Sequence, residues 1–210
     1  MAQKKKANSL TKALLNILIV LCFGSAIFFA GRYFYDIWLQ NRNAEQALVV
    51  ANEVIDSGED LRDADLNIGQ VIGRMYIEGL IEPTPIIEGD DFYLSLNHGI
   101  GRVSQTRMPG SGFGIVALSA HRETFFRPLM NVKMGDIVTV EMSYGTFRYK
   151  IVDSMIVNPD EGERVYSEAG LEGERLALIT CYPFNNFLPP NQRAIFFADR
   201  IDDNIPSQDA

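Results

Sequence analysis

No charged residue occurs between Ala13 and Gly31, and the one clearly polar side chain in that run is Asn16. At about 1.5 Å per helical residue, a stretch of this length nearly covers a hydrocarbon core of about 30 Å. The run is therefore expected to be a membrane-spanning helix, and the rest of the chain must fold outside the lipid. Lys4, Lys5, Lys6 and Lys12 precede the run, whereas Arg32, Asp36 and Arg42 follow it. The positive-inside rule then puts the N-terminus in the cytoplasm and the body outside, with Tyr33, Tyr35 and Trp38 as an interfacial anchor. A cleaved signal peptide ending near Gly24-Ser25-Ala26 meets the same criteria. The apolar character continues through Ile27-Phe28-Phe29-Ala30, which suits a retained anchor better than a new N-terminus.

Beyond the anchor the periodicity changes twice. From Asn43 to Ser57, Ala44, Ala47, Leu48, Ala51, Val54 and Ile55 fall on one helical face, and Gly58 ends the pattern. Glu59 to Asn67 is acidic and polar, a linker or a loop that packs across the body. From Val71 the apolar residues come in short runs broken by turn residues: 71–77, 84–87, 100–104, 115–120, 137–142, 146–156, 176–180 and 193–201. Eight such runs predict an all-β sandwich or barrel, with short helices at 91–96 and 123–129. Tyr144-Gly145 marks a tight hairpin, and Pro109-Gly110 and Gly135-Asp136 mark further turns. The chain thus divides into a basic tail (1–12), an anchor (13–31), a juxtamembrane helix and linker (32–69), a β body (70–203) and a C-terminal tail (204–210).

Charge narrows the range of partners. The net charge is −8 overall, but the four lysines before the anchor leave 15 basic against 27 acidic residues in the remainder. An acidic body with no basic stripe argues against a nucleic-acid partner. One body cysteine and two histidines offer no ligand-spaced metal cluster, and no metal or other cofactor is expected. The acids of the 158–175 connection, Asp160, Glu161, Glu163, Glu168, Glu172 and Glu174, lack the EF-hand spacing and read as a solvated charged loop.

Three residues stand at the ends of strand-like runs. The run Leu176-Ala-Leu-Ile-Thr-Cys181 stops beside Pro183, and Arg193 opens the next run after an eleven-residue connection. A link that short lets the two runs be sheet neighbours, with Cys181 and Arg193 on one rim. His121 follows Gly114-Ile-Val-Ala-Leu-Ser-Ala120 at another strand end. Cys22 lies in the anchor, so Cys181 is a lone thiol; a buried structural cysteine is the bland alternative. A thiol nucleophile needs an imidazole to favour the thiolate and a donor for the oxyanion, and both residue types are present. His98 is a rival to His121 but reads as a turn residue. Arg200, seven residues along the same strand, lies about 23 Å from Arg193 when extended and cannot serve the same site. Arg122 is a further rival to Arg193, with a simple ion pair to an acid as its alternative. Phe184, Phe187 and Leu188, next to the thiol, either hold a substrate side chain or cap the barrel end.

The strings Ala120-His121-Arg122, Leu178-Ile-Thr-Cys181 and Arg193, with Met108-Pro109-Gly110 and Gly135-Asp136 in order, resemble the sortases, a family of membrane-anchored cysteine transpeptidases. His121-Arg-Glu-Thr-Phe-Phe-Arg-Pro-Leu129 and Thr180-Cys-Tyr-Pro-Phe184 are most similar to the class D branch and its Gram-negative relatives. The resemblance runs from about Val71 to Ile201 and implies an eight-stranded β-barrel. It also implies that Thr180 and the backbone N–H of Tyr182 face the oxyanion, and that the 158–175 connection helps to read a peptide. The implied substrate is a protein with a C-terminal sorting signal of the Leu-Pro-x-Thr-Gly kind, and the implied acceptor is an amine at the cell surface. A membrane-tethered binding or assembly module without turnover, and a hydrolytic cysteine protease, are the competing readings.

Overall fold

The computed structural model describes residues 2–159, 161, 171–184 and 189–201. The chain forms two compact units, residues 1–41 and 42–210. Helix α1 covers Ala2–Ser57. It has no proline to remove a hydrogen bond, and isolated glycines such as Gly24 and Gly31 cost only about 1 kcal/mol each. The apolar run and the amphipathic segment expected from the sequence are both helical. In the first unit the large apolar side chains from Leu10 to Leu39 are exposed except Ile37, which is half-buried, and the helix is apolar and long enough to cross a membrane.

In the second unit the last turns of α1 use the expected face. Ala47 and Ala51 are buried, Ala44, Leu48, Val54 and Ile55 are half-buried, and Arg74 donates to Asn52 Oδ1 at 2.6 Å. Gly58, at φ +68°, ends the helix in the left-handed region that only glycine enters freely. Residues 59–67 do not hang free. Leu61 is buried in the main core, Ser143 donates its hydroxyl to the Glu59 carbonyl, and the Arg62 guanidinium lies 5.2 Å from the Tyr144 ring centre.

The body is a closed barrel of eight strands: β1 (Val71–Ile77), β2 (Ile81–Glu88), β3 (Ile100–Arg102), β4 (Gly114–Ser119), β5 (Ile137–Met142), β6 (Gly145–Val157), β7 (Glu174–Tyr182) and β8 (Gln192–Arg200). Around the barrel the order is β1-β2-β3-β4-β7-β8-β6-β5. Short helical turns interrupt it, among them a π-helical turn at Phe92–Leu96 and a 3₁₀ turn at Arg127–Asn131. The hairpin at Ser143-Tyr144 joins β5 to β6 with Met142 opposite Gly145. Closure leaves no sheet edge and encloses a core that includes Ile72, Met75, Leu118, Phe126, Val140, Tyr149, Ile151 and Leu176.

Because side chains alternate across a strand, β4, β7 and β8 each show two faces. Val116, Leu118, Leu176, Leu178 and Ala198 point into the barrel. Ile115, Ala117, Ala177, Ile195 and Phe197 point outward into a second apolar layer with Val103 and Val157. That outer layer is the floor of the site.

At the far end of β7, Glu174 is fully buried and accepts from the Gly110 and Gly112 amides at 2.9 and 2.6 Å and from the Tyr149 hydroxyl. Arg200 Nη1 lies 3.5 Å away. Glu174, read from the sequence as one of a run of solvated acids, is instead the clasp of the 109–114 turn. The difference comes from donors on distant segments, which local charge density does not reveal.

Candidate active site

Pairing fixes three rows across the outer face of β4, β7 and β8. Ala117 lies beside Ala177, which faces Phe197; Ser119 lies beside Ile179, which faces Ile195. One step further Cys181 faces Arg193 directly. His121 follows two residues after Ser119, and the three side chains line one cavity of about 370 Å³. Cys181 occupies the middle strand, with His121 on the β4 side and Arg193 on the β8 side. The cavity continues past His121 to Asp90, Leu96 and Val103, and past Arg193 to Val157, Asn158 and Pro159.

Local sequence explains why these residues stand at the rim. The β4–β7 ladder ends with the Ala120 amide donating to the Ile179 carbonyl at 3.2 Å. The chain then turns, with the Thr124 and Phe126 amides both donating to the His121 carbonyl. Pro183 ends β7, since it has no N–H to continue the ladder. Thr180 is buried, lines the cavity, and donates its hydroxyl to the Ala120 carbonyl at 2.8 Å. Its one proton is thereby used to hold the residue before His121.

The imidazole of His121 is half-buried, and burial holds its pKa below the ordinary histidine value, with the nearby Glu123 carboxylate acting in the opposite sense. A neutral imidazole at neutral pH can take a proton from a thiol or an amine. Arg193 donates to the Gln192 carbonyl at 3.1 Å, and among the described residues no carboxylate pairs with it. The remaining donors of its fork suit an anionic or carbonyl oxygen.

Other expectations fall elsewhere. His98 sits in the turn after the π-helical segment and does not line the cavity. Tyr182 and Phe184 lie in another hollow, of about 430 Å³, with Met130, Met155 and Phe196. Phe184, for which the sequence left open a substrate wall or a cap on the barrel end, packs against the barrel core. Phe187 and Leu188, and Asp160, Glu163 and Glu168 of the acidic connection, lie outside the described residues. Among the described residues no cluster of three or more His, Cys, Asp or Glu side chains suits a metal ion. Arg122, for which the sequence left open the role of Arg193 or an ion pair, pairs with Glu123 and also donates to the Pro183 carbonyl. Sequence gave no sign of that second contact, nor of Asp90 in the cavity wall.

The chain is 34% identical over 133 residues to Sortase D of Bacillus subtilis, an alignment covering 63% of this chain and 65% of that relative. A Clostridium perfringens Sortase D5 transpeptidase superposes with a TM-score of 0.62 at 21% identity, covering 78% of this chain and 98% of that one. Sortase E1 of Streptomyces coelicolor, solved with a tripeptide in the active site, gives a TM-score of 0.57 at 25% identity, covering 64% and 90%. The family model for the sortase domain matches residues 75–201, and the chain belongs to the sortase family.

Proposed function

We propose that the protein is a cysteine transpeptidase that cleaves a C-terminal sorting signal and joins the protein bearing it to an amine. The observation that carries this reading is the row in which Cys181 lies between His121 and Arg193 on one cavity. The thiolate of Cys181 attacks the scissile carbonyl, forming a C–S bond. The C–N bond then breaks and the leaving amine takes a proton from the imidazolium of His121. An acceptor amine attacks the thioester carbonyl, gives its proton to His121, and the thiolate departs. Arg193 stabilises the oxygen that becomes negative in each tetrahedral intermediate, aided by the backbone N–H of Tyr182. The apolar floor of Ile179, Ile195 and Val157 keeps that charge in a low-dielectric setting and favours an apolar substrate residue.

A Clostridium perfringens sortase C has been solved with the C-terminal cell wall sorting motif, which supports a C-terminal sorting peptide as the substrate class here, and the family resemblance implies one of the Leu-Pro-x-Thr-Gly kind. The apolar helix fits a single-pass anchor with a cytoplasmic N-terminus and the barrel outside the cell membrane. The test uses the full chain in detergent micelles with a peptide library and an added amine. A thioester adduct on Cys181 and an amine-linked product are expected, and Cys181→Ala should abolish both. Product that forms without Cys181 ends the assignment; acid product alone, with amine present, identifies a hydrolase.

A further inference from the structure

We infer that Arg122 is a positioning residue: it ties the His121 turn to the end of the Cys181 strand and thereby sets the spacing between imidazole and thiol. The inference rests on His121 and Cys181 being the reacting pair.

The β4–β7 ladder stops one residue short of His121, at the Ala120 amide and Ile179 carbonyl. Two side chains continue the connection where the ladder ends. Before His121, Thr180 donates to the Ala120 carbonyl; after it, Arg122 Nη1 donates to the carbonyl of Pro183, two residues beyond Cys181. Arg122 is only 3% exposed, and its Nε donates to Glu123 at 2.6 Å. Burying a guanidinium is costly unless its donors are matched, so an apolar residue would fill this space at lower cost. Only a rigid fork reaches an acid in its own turn and a carbonyl on the neighbouring segment at once. Lysine, a single point donor, can make either contact but not both. With the turn untied, His121 is free to move on the scale of an ångström, which at a reacting centre costs on the order of 100-fold in rate.

The test compares wild type, Arg122→Met and Arg122→Lys as full chains in detergent. Two rates are read: formation of the Cys181 acyl adduct from peptide, and alkylation of Cys181 by iodoacetamide, located by peptide mapping, which needs no peptide substrate. Arg122→Met should acylate on the order of 30-fold or more slowly at saturating peptide, with the half-saturating concentration within about threefold of wild type, and its alkylation should slow about fivefold. Arg122→Lys should recover about a third of the lost acylation rate on a logarithmic scale. Should Arg122→Met not fold, the lysine variant decides, with acylation about tenfold slower at an unchanged unfolding midpoint. Acylation of either variant within threefold of wild type, or a loss carried by the half-saturating concentration, overturns the inference. If wild type forms no adduct while Arg122→Met still slows alkylation, the transpeptidase reading falls and the positioning role stands. If the adduct forms equally in all three, the positioning role alone falls.

Discussion

Replacing Glu174 with alanine should cost the barrel about 3–5 kcal/mol, the range for removing one partner from a buried charged network. The carboxylate is fully buried and takes hydrogen bonds from two backbone amides and one phenol. Bonds to a charged group contribute about 1.5–3 kcal/mol each, so the three together hold roughly 4.5–9 kcal/mol. Relief of the carboxylate's own desolvation offsets about 2 kcal/mol of that. Arg200 adds little, because at 27% exposure it can turn to water when its partner is gone. Glutamine keeps the volume but aims donor protons at donors, and should cost about 2–3 kcal/mol. The assay is urea unfolding of the full chain in micelles, followed by far-UV circular dichroism in the sheet band, with the m-value checked for constancy. Tyr149, whose phenol is driven well above its usual pKa by burial and by Glu174, supplies the second arm of a double-mutant cycle. Glu174→Gln with Tyr149→Phe should show a coupling of about 1–2 kcal/mol. A Glu174→Ala midpoint within 1 kcal/mol of wild type would refute the clasp, and a zero coupling would remove Tyr149 from it.

By NMR, the His121 imidazole should titrate below the ordinary value of about 6.5, since burial disfavours its charged form; Glu123→Gln should lower the midpoint further, and a midpoint above 6.5 refutes the burial account. The linked stability effect has a fixed sign: with the folded pKa lowered, the unfolded chain binds more protons between the two values, so stability falls as pH drops from about 6.5 through the folded midpoint, and His121→Gln should flatten that slope. Thr180→Val leaves the buried Ala120 carbonyl without its donor and should cost about 1–3 kcal/mol and slow acylation, while Thr180→Ser keeps both near wild type; equal behaviour of the two variants sinks the hydroxyl's role. Leu61→Ala should cost about 2–5 kcal/mol by the same unfolding assay, because Leu61 is buried in the barrel core and pins residues 59–67 to it; a loss under 1 kcal/mol would return them to linker status.

Legibility followed sequence distance. The facing of Cys181 and Arg193 was readable because a short connection leaves two strand-like runs little choice but to pair, and the β5–β6 hairpin was readable for the same reason. The parallel pairing of β4 with β7 was not, since β5, β6 and a long connection intervene and nothing local marks the partner. His121 was therefore singled out by its residue type and strand-end position, while its seat beside Cys181 came only with the barrel order. Arg122 and Glu174 were incompletely legible for one reason. Arg122 read as half of an ion pair, which it is, and Glu174 as one of a solvated run, and each is buried against groups contributed from far along the chain. Burial of a charged residue depends on which remote donors and acceptors meet it, and neither periodicity nor local composition encodes that.

The strand that carries Arg193 is the last of the eight in sequence, yet it is seated between β7 and β6 rather than at a margin. A nascent chain can thus lay down six strands and even the thiol-bearing seventh while the wall still has a slot one strand wide. Until β8 fills it, Cys181 lacks its guanidinium neighbour and the hydrogen-bonding flanks of β6 and β7 stay open. On the proposed mechanism, synthesis order would act as a safety catch, since a thiol made before its last partner lacks the guanidinium assigned to the oxyanion until the fold is finished.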